Sequence, residues 1–80
     1  MDISKAVSLR ISDLLIEKNM SQYKLEKEAG LSHETLKSIM KGKAKGVNLK
    51  TIIALSYGFN ISVSEFLNCE YFKYENLNID

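Results

Sequence analysis

Apolar residues recur three and four apart along almost the whole chain, the spacing that places them on one face of an α-helix. Ile3, Val7, Ile11, Leu14 and Leu15 form one such stripe. They predict a first helix that ends near Asn19, a residue tolerant of the left-handed conformation of a C-terminal cap. Leu9 and Ile16 fall on its opposite side, either partly exposed or as a contact surface. Ser21 is a good N-cap for a short second helix that carries Leu25 and Ala29 inward and stops at Gly30. Ser32 caps a third, about Ser32 to Lys41, with Leu36, Ile39 and Met40 inward and Gly42 closing it. The next stretch, KGKAKGVN at residues 41–48, lacks periodicity and reads as an exposed loop. A fourth helix is predicted from about Leu49 to Tyr57, with Leu49, Ile52, Ile53, Ser56 and Phe59 on its inner side. Ser62 and Glu65 make a capping box that opens a fifth, burying Val63, Phe66 and Leu67. Nothing alternates convincingly before the last ten residues, so the class is all-α, with five helices around one core.

Eighty residues at 45% hydrophobic content make one domain. A chain of that size buries only about 60% of its unfolded surface, enough for a modest core but not for a deep, walled active site. Binding is favoured over catalysis. With one histidine, His33, and one cysteine, Cys69, the chain cannot build a catalytic triad or a tetrahedral zinc site. GKAKG lacks the spacing of a phosphate-binding P-loop, and Glu26 and Glu28, two apart on a helix, point different ways and read as solvated surface. No enzyme activity, metal, cofactor or small-molecule ligand is expected. Cys69 has no partner for an internal disulfide, the first residues lack the apolar stretch of a secretory signal, and no apolar run approaches membrane-spanning length. The expected location is the cytoplasm, away from membranes.

The net charge of +1 conceals an uneven distribution. Residues 1–34 sum to −1 and residues 65–80 to −3, whereas residues 35–64 hold Lys37, Lys41, Lys43, Lys45 and Lys50 without one acid. Such a block is either a solvated lysine-rich loop or a surface that meets an anionic partner. It begins on the third helix, directly after a glycine turn of the kind that joins two helices at 90–120°.

The segment SQYKLEKEAGLSHETLKSIMKG resembles the Cro and phage-repressor type of helix-turn-helix, the lambda-repressor-like DNA-binding domain. The likeness rests on Gln22 opening the second helix, the turn Ala29–Ser32, the anchor from Thr35 to Ile39, the Lys41–Gly42 pair and the closing pattern NLKTIIALSYGFNISVSEFL. It covers roughly Val7 to Leu67. Glu26 departs from it, standing where the family usually has a small alanine. Its carboxylate is expected to bend outward or pair with a lysine.

The resemblance implies a compact five-helix domain whose third helix enters the major groove of double-stranded DNA. Ser32, His33, Glu34, Lys37 and Ser38 then face base edges: His33 donating or accepting at a purine, Glu34 accepting from cytosine N4, Lys37 donating to guanine. Gln22, Lys41, Lys43 and Lys45 are the expected phosphate contacts. The implied function is a transcriptional regulator of repressor type that binds a two-fold operator as a homodimer. An antitoxin that represses its own operon, or a protein-interaction module that no longer binds DNA, fits the same fold. Residues 1–67 form the expected DNA-binding domain. Residues 68–80, acidic but rich in Tyr71, Phe72 and Tyr74, form a tail that either folds back or makes a dimer contact as helix or strand.

Overall fold

Every α-helix begins at a side-chain cap. The structure, a computed structural model, describes residues 1–44 and 46–79. Helix α1 (Ile3–Glu17) starts at Asp2, whose carboxylate accepts the Lys5 N–H at 2.8 Å. Helices α2 (Gln22–Ala29), α3 (His33–Met40), α4 (Leu49–Gly58) and α5 (Val63–Leu67) start at Ser21, Ser32, Asn48 and Ser62. Each cap accepts the N–H three residues on, at 2.9–3.1 Å. Such a cap is worth about 1 kcal/mol and fixes where the helix starts. Asn19, at φ 51°, turns the chain out of α1, and Gly30, at φ 67°, turns it from α2 into α3. The chain is all-α, with five helices and no strand among the described residues.

The core collects Val7, Ile11 and Leu14 from α1, Leu25 from α2, Leu36 and Ile39 from α3, Ile52 and Leu55 from α4, then Phe59 and Phe66. Helix α1 lies against α3, and α2 against α4. That second contact depends on Gly58. A Cβ there would come within 2.9 Å of both Ala29 Cβ and Leu25 Cδ1 and 3.1 Å of the Ala29 backbone nitrogen.

Helix α4 is rotated relative to the expected phase. Leu49 and Ile53, predicted to point inward, are exposed at 62% and 51%, while Leu55 is fully buried. Apolar residues surround α4, so two stripes compete, and the close approach at Gly58 selects the one through Ile52, Leu55 and Ser56. Leu67, predicted to be buried, is exposed as well. Helix α5 is only five residues long, and Leu67 on its last turn lies at the surface beyond Phe66. Val63 and Leu15 are half-buried against the core, whereas Ile3, expected on the inward stripe, is exposed at the first position of α1, where the helix runs past the core.

Residues 70–78 lie on their own domain as two 3-10 turns, Glu70–Phe72 and Tyr74–Asn76, rather than as an α-helix or a strand. Phe72 packs beside Phe66, ring centroids 6.1 Å apart, and the Tyr71 hydroxyl donates to Asp13 of α1 at 2.6 Å. The Asn78 N–H donates to the Met1 carbonyl at 2.8 Å. Arg10 braces the same side: its Nε donates to the Phe66 carbonyl at 2.7 Å and its Nη2 to that of Glu65 at 2.8 Å. A guanidinium on the last carbonyls of a helix satisfies acceptors that the helix leaves open. No helix among the described residues is long and apolar enough to cross a membrane.

Candidate nucleic-acid interface

The turn between α2 and α3 is built by backbone bonds that only a left-handed residue permits. Gly30 and Leu31 N–H groups both donate to the Glu26 carbonyl, and Leu31 then packs against the core. Leu36 and Ile39 hold the inner side of α3. At about 100° per residue, Glu34, Lys37, Ser38 and Lys41 therefore fall on the outer side, with His33 on the flank toward α2.

The sequence-derived positions come together only in part. Glu34 and Lys37 are exposed on α3, and Ser38 is half-buried beside them. Glu34 and Ser38 border a shallow cleft whose far wall is Ala44, Val47 and Thr51. Ser32 is exposed, but its hydroxyl accepts the Thr35 N–H and donates to Thr35 Oγ1 at 2.9 Å, so its hydrogen is committed to the cap. Gln22 is exposed at the first position of α2.

Behind α3 the loop is pinned rather than loose. Gly42 N–H donates to the Ile39 carbonyl at 2.9 Å and Lys43 N–H to that of Ser38 at 3.1 Å, while Ala44 and Val47 pack against the core. Those two small apolar anchors were invisible to periodicity because they lie outside any helix. They leave Lys41 and Lys43 exposed next to the outer side of α3. Lys45, the remaining expected phosphate contact, lies outside the described residues. Among the described residues no carboxylate pairs with Lys37, Lys41, Lys43 or Lys50, whereas Lys24 pairs with Glu28 and Lys73 with Glu70. Lys37, Lys41 and Lys43 thus share one side of the molecule, α3 and the loop behind it, while Lys5, Lys18 and Lys27, also without a carboxylate partner among the described residues, lie on α1 and α2 or just beyond.

Glu26 neither bends into solvent nor meets a lysine. Its Oε2 lies 2.9 Å from His33 Nδ1, with 11% of the Glu26 side chain exposed against 64% for the imidazole. The expectation of solvated surface fails here because the carboxylate finds a partner across the turn, seven residues on and in another helix. No single-helix periodicity relates such a pair. Its one sequence signal is an acid where the resembled family carries alanine.

Two short helices joined at a left-handed glycine, the second presenting polar and cationic side chains outward, constitute a helix-turn-helix. Residues 10–71, well over half of the chain, match the family of Cro/C1-type HTH DNA-binding domains, and the protein belongs to that family. Its five-helix architecture is the lambda-repressor-like fold, and its general role is that of a DNA-binding regulator. No curated protein and no solved structure matches the chain.

Proposed function

We propose that the protein is a sequence-specific transcriptional repressor that reads the major groove with α3. The observation that carries this reading is the set of exposed lysines without carboxylate partners, Lys37, Lys41 and Lys43, on α3 and the loop pinned behind it. Base edges are read by Ser32, His33, Glu34, Lys37 and Ser38, and phosphates are held by Gln22, Lys41, Lys43 and Lys45. Glu34 lies close to the expected phosphates and repels them unless it meets a cytosine amino group, so it works mainly by excluding wrong sequences.

Residues 1–67 act as the DNA-binding unit and residues 68–80 as a tail, of which Tyr71 and Phe72 pack back on the domain. The protein works in the cytoplasm as a homodimer on a two-fold operator. Size supports the dimer: one short recognition helix gains strongly from a tethered second half-site. Ile16, 81% exposed on α1, supplies apolar surface for it. The competing class, an interaction module without DNA binding, draws support from Leu49, Ile53 and Tyr57, exposed four apart on α4.

Changing Lys41, Lys43 and Lys45 together to alanine separates the two. Filter or anisotropy binding to arbitrary duplexes should weaken uniformly in the triple variant, whereas His33→Ala or Lys37→Ala should relax preference at particular base pairs. Unchanged affinity for arbitrary duplexes in the triple variant contradicts the DNA reading.

A further inference from the structure

The Glu26–His33 pair is not needed to close the turn. Backbone bonds from Gly30 and Leu31 do that, with Leu25, Leu36 and Ile39 packed beneath. Yet Glu26 is held close under the ring while the ring itself projects from the first position of α3. Resting on the DNA reading above, we infer that Glu26 is a positioning residue that sets which bases His33 reads.

An ionised carboxylate only accepts hydrogen bonds. In the neutral imidazole, the 2.9 Å contact therefore places the hydrogen on Nδ1 and leaves a lone pair on Nε2. An acceptor at Nε2 matches the exocyclic amino groups in the major groove, N6 of adenine or N4 of cytosine. It meets guanine O6 and N7 lone pair against lone pair. Without Glu26 the ring takes either tautomer and turns about its side-chain bonds, so Nε2 can also donate and guanine becomes acceptable. Glu26 touches no base. It acts by fixing the hydrogen and the orientation of the residue that does, as carboxylates behind metal-bound histidines do.

Two measurements test this. The chain contains one histidine, so nitrogen-15 shifts of the imidazole are assigned without ambiguity. At pH 8 the free wild-type protein should show a protonated Nδ1 and a bare Nε2, and Glu26→Ala should move the ring toward protonated Nε2. In parallel, duplexes are selected from a randomised pool with wild type, Glu26→Ala, His33→Ala and the double variant. Wild type should prefer an amino-bearing base over guanine at one position by roughly 5- to 150-fold. Glu26→Ala should bring that ratio near unity, and the same change in the His33→Ala background should alter nothing.

Glu26→Gln keeps the side-chain volume but offers Nδ1 a donor as well as an acceptor. It should widen the preference without leaving a cavity. An enriched sequence with the same base preference in wild type and Glu26→Ala overturns the positioning role and leaves the DNA reading intact. So does a tautomer indifferent to Glu26. A wild-type protein that enriches nothing overturns both.

Discussion

Three serines lie buried in the helices, and their hydroxyls fare differently. Ser8 donates to the Lys5 carbonyl at 2.9 Å and Ser56 to the Ile52 carbonyl at 2.7 Å, whereas Ser4 Oγ has no partner among the described residues. A buried hydroxyl without a partner costs about 1–3 kcal/mol of desolvation, and alanine removes that cost while favouring the helix. Ser4→Ala should therefore raise stability by about 1 kcal/mol in urea titration, and Ser56→Ala should lower it by a similar amount. Tyr71 differs because its bond faces solvent. Donating to Asp13 holds the phenolic proton, with partial desolvation and the Asp13 charge adding to the effect, and raises the Tyr71 pKa above the ordinary 10.0. A group whose folded pKa is raised contributes stability that is complete below its unfolded value and is lost as pH climbs through the folded one. The stability gap between wild type and Tyr71→Phe should be constant up to about pH 9 and should close above pH 10.0.

At the level of elements, the contact between α2 and α4 depends on an absent side chain. Gly58→Ala would drive a methyl into Ala29 Cβ and the backbone behind it, and overpacking of that kind costs about 1–3 kcal/mol. Denaturant unfolding should show the loss, and because α2 carries the turn, DNA affinity should fall with it. The starts of α2, α3 and α5 and the ends of α1 and α2 were legible in the sequence because caps are local: Ser21, Ser32, Ser62, Asn19 and Gly30 each act within four residues of themselves, whereas the caps Asp2 and Asn48 were not singled out. The rotational phase of α4 was not. Leu49, Ile53 and Tyr57 make as good an apolar stripe as Ile52, Leu55 and Phe59, and only the partner helix decides between them. The tail was hidden for the same reason, since Tyr71 and Phe72 find Asp13 and Phe66 across the fold. In the candidate site, the lysines and the turn could be read from sequence. The Glu26–His33 pair could not, because it joins two helices through a conformation that neither helix encodes alone.

For the whole molecule, a net charge of +1 says little about partners, because residues 35–64 hold five lysines and not one acid while the acids fall before and after them. Three to five neutralised phosphates per protomer should give a plot of log affinity against log salt with a slope of roughly −3 to −4.5. Each of Lys41, Lys43 and Lys45 removed should flatten that slope by about 1. A salt-independent affinity would place the binding energy elsewhere. The most direct test of α3 as the reading helix is an amide-resolved NMR titration of the full chain with a duplex enriched from the random pool. Shift changes should gather at Gln22, at residues 32–38 and at Lys41 and Lys43, leaving the outer face of α4 and the acidic tail unchanged. Changes centred on Leu49, Ile53 and Tyr57, with residues 32–38 silent, would contradict the account.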